Sequence, residues 1–161
     1  MLKFDIGANR LCAAGTKAVA EALKDNQTMT ELNISDNCMD WKDWESEAPD
    51  MSGVIAISDA IPTMGALAKL TFGGDGTYRP YEPVTLEVGM AEANLSNKNL
   101  GAGGAIIVGA WISHKDNGAL TSLNISSNSL GGHYERRGRR REWISDMSGV
   151  KALAAAIPEC K

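Results

Sequence analysis

Several features are scarce in this chain, and each scarcity weighs against a class of protein. No run of 18 or more apolar residues occurs in the 161 residues, so no membrane-spanning helix is expected. There are three cysteines, Cys12, Cys38 and Cys160. An odd number without metal-ligand spacing points away from a disulfide framework and toward reduced thiols, hence an intracellular location, the cytoplasm or an organelle. The two histidines, His114 and His133, are far apart and have no cysteine or histidine cluster near them, so no metal site is expected. No nucleophile–base pair stands out. Gly101-Ala-Gly-Gly104 lacks the Lys-Ser/Thr of a phosphate-binding loop and aligns with Cys12-Ala-Ala-Gly15, so no cofactor is expected either. A net charge of −4 weighs against general nucleic-acid affinity. On this reading the protein is not an enzyme.

What is present is a repeat. Leu120-Thr-Ser-Leu-Asn-Ile-Ser-Ser-Asn128-Ser-Leu130 reads LxxLxLxxNxL. Met1–Leu11 and Met29–Met39 follow the same frame with apolar substitutes, 28 residues apart. Weaker frames begin at Leu67, with Asp75 in the Asn slot, and at Met90, with Lys98 there. Each Asn amide can donate to and accept from the backbone of neighbouring turns, whereas Asp and Lys cannot do both, so the ladder should falter in the middle.

Helical spacing follows four frames. After Gly15, Gly53, Gly104 and Gly149, apolar residues fall at offsets of +3, +4, +7 and +8: Ala18, Val19, Ala22, Leu23; Ala56, Ile57, Ala60, Ile61; Ile107, Val108, Trp111, Ile112; Ala152, Leu153, Ala156, Ile157. Pro62 and Pro158 should end two of these helices. A larger duplication overlies the frames. Lys24-Asp-Asn with Leu32-Asn-Ile-Ser recurs 91 residues on, and Asp50-Met-Ser-Gly-Val with Ala60-Ile-Pro recurs 96 residues on.

The frame at Leu120, and the continuations Leu11–Leu23 and Leu100-Gly-Ala-Gly-Gly-Ala-Ile-Ile, resemble ribonuclease-inhibitor-like leucine-rich repeats. The resemblance covers most of the chain outside the insertions and residues 76–89. It implies one α/β domain over 1–161, a solenoid of about five right-handed strand–turn–helix coils starting near 1, 29, 67, 90 and 120. The parallel sheet would line the concave face and the helices the convex face. Family kinship also implies protein–protein recognition.

Three stretches break the rhythm: 40–50, which is acidic; 76–89, whose Val84, Leu86 and Val88 alternate like a strand; and 131–146, which holds five arginines. They contain six of the nine aromatics: Trp41, Trp44, Tyr78, Tyr81, Tyr134 and Trp143. Trp44 and Trp143 precede the duplicated Asp-Met-Ser-Gly-Val and are read as loop anchors. Trp41, Tyr78, Tyr81, Tyr134, Arg136, Arg137, Arg139, Arg140 and Arg141 are the candidate partner-binding residues. The arginine run is read as a solvated loop in the commoner case, as a site for phosphate groups, an acidic protein surface or nucleic acid, or as a charge partner of the acidic insertion or of a neighbouring copy. On the sheet, Asp5, Asn33, Thr71, Asn94 and Asn124 should form one row, flanked by Lys3, Glu31, Lys69, Glu92 and Ser122, with no aromatic anchor among them.

The expected function is a non-enzymatic protein-interaction module or assembly subunit with its specificity in the insertions. The alternative is a receptor-like or regulatory domain that recognises an acidic or phosphorylated ligand through the arginines. Neither end carries a polar capping unit, so a larger protein, or end-to-end or hetero-oligomeric contact, is expected.

Overall fold

The computed structural model describes residues 2–40, 42, 49–73, 82–114, 118–137 and 140–157, with the backbone alone for 133–137, 140 and 141. The first copy of the duplication contains β1 (Leu2–Asp5), α1 (Cys12–Leu23), β2 (Met29–Asn33) and α2 (Ser52–Ala60). A 3-10 turn over Ile61–Thr63 ends α2 at Pro62, and β3 (Lys69–Phe72) and β4 (Val84–Glu87) follow. The second copy contains β5 (Glu92–Asn94), α3 (Gly101–Ile112), β6 (Ser122–Asn124), β7 (Gly132–Arg137), β8 (Arg140–Ser145) and α4 (Ser148–Ala156).

The expected five-unit solenoid with one parallel sheet is not the architecture observed. The chain forms a small α/β structure whose main sheet is mixed, in the order β1-β2-β3-β4. β1, β2 and β3 are parallel, with Phe4, Leu32 and Leu70 in register, but β4 pairs antiparallel to β3 through Leu70–Leu86 and Phe72–Val84. β5 and β6 form a separate parallel pair, and β7 and β8 a separate hairpin. The cause lies in the stretch that interrupts the third frame. Val84 and Leu86 bury their side chains beside Phe72 and Leu70, so β4 takes the edge of β3 that the next parallel strand would need. The helix layer, in contrast, runs unbroken: α1 packs on α2, α2 on α3 and α3 on α4.

One core runs through both copies, from Leu32 and Ile57 to Ala93, Ile107 and Leu153, and most of its fully buried side chains lie between the main sheet and α2. Ile57, Ile61, Met64, Leu67, Leu70 and Phe72 are fully buried, each contributing about 1.5–3 kcal/mol by removal from water. The helical faces match the spacing in α3, where Ile107, Val108, Trp111 and Ile112 are all buried. In α1 and α4 the match is partial. Ala18 and Ala22 are exposed, and so is Ile157, because these outer helices have a neighbour on one side only. Helix pairing is close enough to require glycine. A Cβ on Gly53 would lie 2.8 Å from Ala13 Cα, and one on Gly149 would lie 2.6 Å from the Ala102 carbonyl oxygen.

Both copies turn from strand to helix around one buried amide. Asn37 donates from Nδ2 to the carbonyls of Ile6 (2.9 Å), Ile34 (3.1 Å) and Ser35 (3.2 Å). Its Oδ1 accepts the N–H groups of Asn9 (2.9 Å) and Leu11 (3.4 Å). Asn128 repeats the set with the carbonyls of Leu95 (2.7 Å), Ile125 (2.9 Å) and Ser126 (3.2 Å) and the N–H groups of Lys98 (2.8 Å) and Leu100 (3.3 Å). The turns that these amides hold use left-handed backbone at alternate residues: Ala8, Arg10 and Cys12 in one, Asn97, Asn99 and Gly101 in the other. Lys98 stands where the first copy has Asn9, and its Nζ reaches out to Glu82 Oε2 at 2.9 Å. Asp75 lies outside the described residues.

Candidate functional site

The insertions leave the scaffold at matched points. The Asp50 N–H donates to the Asp40 carbonyl (2.8 Å) and the Asp146 N–H to the Gly131 carbonyl (2.9 Å), closing each excursion at its base. The carboxylates of Asp50 and Asp146 then each accept the N–H two residues on, from Ser52 and Ser148, at 2.9 Å. They sit at the starts of α2 and α4, where a negative charge meets unpaired helix N–H groups. The Ser52 N–H and then its hydroxyl hold the Asp50 carboxyl below the ordinary carboxylate range.

In the second copy the backbone of the excursion pairs as a β-hairpin, where an arginine run suggests a loop. β7 and β8 pair over six positions: Tyr134 is opposite Trp143, Glu135 opposite Glu142, Arg136 opposite Arg141 and Arg137 opposite Arg140. The base of the hairpin depends on Gly132, which has φ +152° and lies under the Trp143 ring. A Cβ there would come within 2.8 Å of the indole and collide with the Ile144 carbonyl. Trp143 is still 44% exposed, so it anchors the hairpin with one part of its ring and offers another to solvent. Of the candidate residues, the fold collects Tyr134, Arg136, Arg137, Arg140 and Arg141 on this hairpin. Trp41, Trp44, Tyr78, Tyr81 and Arg139 lie outside the described residues.

The sheet surface carries an ordered row of charges where the sequence alone suggests only a mixture. Lys3, Glu31, Lys69 and Glu87 fall in register across β1–β4, giving a row of alternating sign. Lys3 Nζ meets Glu31 Oε1 at 2.6 Å and Lys69 Nζ meets Glu87 Oε1 at 2.7 Å. The Glu87 hydrogen bond and charge, followed by the charge of Glu31, raise the Lys69 pKa. Beside this row, Asp5, Asn33, Thr71 and Thr85 align: Asn33 donates to Asp5 at 3.1 Å, and the hydroxyls of Thr71 and Thr85 lie 3.0 Å apart. Asn94 and Asn124 align in the separate β5–β6 pair, away from that row. The N–H of Gly7 and then the Asn33 amide lower the Asp5 pKa, and the Lys98 hydrogen bond and charge lower that of Glu82. The alternation of sign at equivalent frame positions was the available signal, but Glu87 joins it only through antiparallel pairing.

On the helical side a shallow groove of about 350 Å³ runs between α2, α3 and α4, walled by Gly109, Ala152 and Ala156 with Asp59 and Ser58 at its side. His114 is buried at the end of α3. Its ring is 3.1 Å from the Met64 carbonyl through Nε2 and stacks on Trp111 with centroids 5.7 Å apart. Among the described residues, no group of three or more His, Cys, Asp or Glu is placed to hold a metal ion, and no helix is long and apolar enough to cross a membrane. No family model matches the chain, and no curated protein matches its sequence.

Proposed function

We propose that the chain is a non-enzymatic, intracellular protein-interaction module or assembly subunit that engages its partner through the β7–β8 hairpin. The observation that carries this reading is the hairpin register. Two arginine pairs, Arg136–Arg141 and Arg137–Arg140, stand directly opposed. Like charges opposed across an antiparallel pair destabilise it, and a two-stranded hairpin is marginal by itself. An acidic partner surface relieves both penalties, and guanidinium groups bind carboxylate or phosphate in two-pronged fashion. The sheet row contributes less to recognition, because its lysines and glutamates already neutralise one another.

The same register favours a second reading, in which the ligand is a phosphorylated segment and the module is regulatory. Kinship with leucine-rich repeats is also part of the proposal. It is supported by the matching five-bond sets of Asn37 and Asn128, and it concerns the turn alone, not the solenoid that the mixed sheet overturns.

The test compares the wild-type chain with one in which Arg136, Arg137, Arg139, Arg140 and Arg141 are all Gln. Partners are captured by cross-linking in cells and identified by mass spectrometry, then measured by calorimetry with purified components. Stoichiometric partners lost in the Gln variant are the expected result. Full retention would refute the hairpin reading, and absence of any stoichiometric partner would refute the module reading. Titration with an acidic peptide and its phosphorylated counterpart separates the two ligand classes.

A further inference from the structure

The duplication shows what the strand layer of each copy requires. In the first copy β3 lies parallel against the outer edge of β2, and Leu32, Ile34 and Ile61 are 2%, 1% and 0% exposed. The equivalent residues of the second copy are Leu123, Ile125 and Ile157. Among the described residues β6 pairs with β5 alone; Leu123 and Ile125 are only partly covered and Ile157 is 63% exposed. The opposite end of the molecule has the complementary feature. Among the described residues β1 pairs with β2 alone, and Leu2 and Phe4 are 49% and 37% exposed, whereas their register partners Met29 and Leu32 are 3% and 2%. One end thus presents a strand edge with a partly covered apolar row beside it, and the other presents a strand edge with an exposed apolar row of its own.

We propose that these two ends bind each other between copies: β1 of one chain lies parallel beside β6 of the next, and Phe4 and Ile6 cover Leu123 and Ile125 as Leu70 and Phe72 cover Leu32 and Ile34 within the chain, with Leu2 at the rim beside Thr121. The edge N–H and C=O groups that no described strand pairs complete a ladder. Charge permits the register. Lys3 and Asp5 of β1 meet Ser122 and Asn124, the uncharged members of the β6 row, and Asn124 can offer Asp5 the amide contact that Asn33 makes within the chain. The helices contribute less here than at the internal junction, since α1 presents Ala18 and Ala22 where α3 presents Ile107 and Trp111. The contact is therefore weaker than the internal one. It is also heterologous and does not close on itself, so it builds open chains, not a symmetric dimer. The proposal does not depend on the arginine hairpin.

The test measures mass by light scattering over roughly a hundredfold concentration range, reaching about 1 mM. The wild-type average is expected to climb above the 17.1 kDa of one chain as concentration rises. Phe4→Asp blocks one end and Ile157→Asp the other, so each variant alone should stay at one chain. Mixed in equal amounts, they should form a species of two chains and nothing larger, because each supplies the end the other lacks. Leu2→Asp and Leu123→Asp replace either variant that loses the wild-type circular dichroism spectrum, judged by the same outcomes. A wild type that stays at one chain throughout would overturn the proposal. Self-association of a single variant, or a mixture that does not pair, would overturn it equally.

Discussion

Replacing Asn37 and Asn128 by Ala tests whether the buried amides hold the turns, and the structure ranks the two variants. Each removes five hydrogen bonds. Not every partner is stranded by the loss. In the first copy the Ile6 carbonyl keeps the Asn9 amide at 3.0 Å, and the Ser35 carbonyl keeps the Ala8 N–H at 2.9 Å. The groups left are the N–H of Asn9, the N–H of Leu11 (whose bond is the longest of the set) and the Ile34 carbonyl. At about 1–3 kcal/mol per stranded buried group, with the two N–H groups near solvent at the low end, Asn37→Ala should cost about 3–4 kcal/mol. In the second copy Lys98 occupies the Asn9 position, so the Leu95 carbonyl has no corresponding amide, although the Ser126 carbonyl keeps the Asn97 N–H at 3.0 Å. Asn128→Ala therefore strands one group more and should cost about 1 kcal/mol more than Asn37→Ala. Lys98→Asn, which supplies the missing amide and gives up only an exposed ion pair to Glu82, should recover part of that difference in the Asn128→Ala background. Urea unfolding followed by far-ultraviolet circular dichroism measures all four chains. Losses below about 1 kcal/mol for both alanine variants, or a larger loss at Asn37 than at Asn128, would refute the reasoning.

The remaining predictions concern the backbone, the acid limb and the thiols. Gly53→Ala and Gly149→Ala should each destabilise by about 2–3 kcal/mol, since the new methyl meets backbone atoms of α1 or α3, while Gly118→Ala, with open space around it, should stay within about 0.5 kcal/mol of wild type in the same urea assay. Ala8→Gly should raise stability by about 0.5 kcal/mol, because Ala8 is exposed at φ 57° and glycine carries no penalty there; a decrease in the unfolding midpoint would contradict this. Asp5 and Asp50 have depressed folded pKa values, so their contribution is present above the unfolded value near 3.8 and is lost as pH falls through the lower folded value; Asp50→Asn should flatten that acid limb in pH-dependent melting. Cys12 and Cys38 are buried, so mass-spectrometric mapping should show alkylation of both only after denaturant is added, and labelling at native conditions within minutes would contradict their placement.

Local chemistry was legible where it is local in origin. The frames at Met1, Met29 and Leu120 all become strands, and in β2 the alternation finds a buried face in Met29 and Leu32, as do the helical offsets after Gly53 and Gly104. The Asn slot is also a local device: its partners come from its own turn and the adjoining one. What escaped the reading depends on direction and register. Val84, Leu86 and Val88 specify a buried face, but alternation does not say whether the strand runs with β3 or against it. That one choice breaks the parallel sheet and brings Glu87 beside Lys69. Ala18, Ala22 and Ile157 obey helical spacing and are nonetheless exposed, because spacing gives the direction of a face but not the number of helices beside it. The hairpin escaped for another reason. Its arginines have no strong strand preference, and its two strands hold each other through backbone bonds that composition does not display.

The break between Glu87 and Glu92 has a mechanical side. Among the described residues the protein resembles a plate with one continuous skin, α1 to α4, and one cut skin, the strands. Such a plate would bend about the skin that is intact, so the angle between the Asn37 turn and the Asn128 turn should follow how α2 rests on α3. At that contact Gly103 lies against Val54 and Met51, where a Cβ would stand 3.4 Å and 3.7 Å from their side chains. A larger residue at Gly103 is therefore expected to tilt one copy against the other, and the distance between the Asn37 and Asn128 turns is the quantity that would report it.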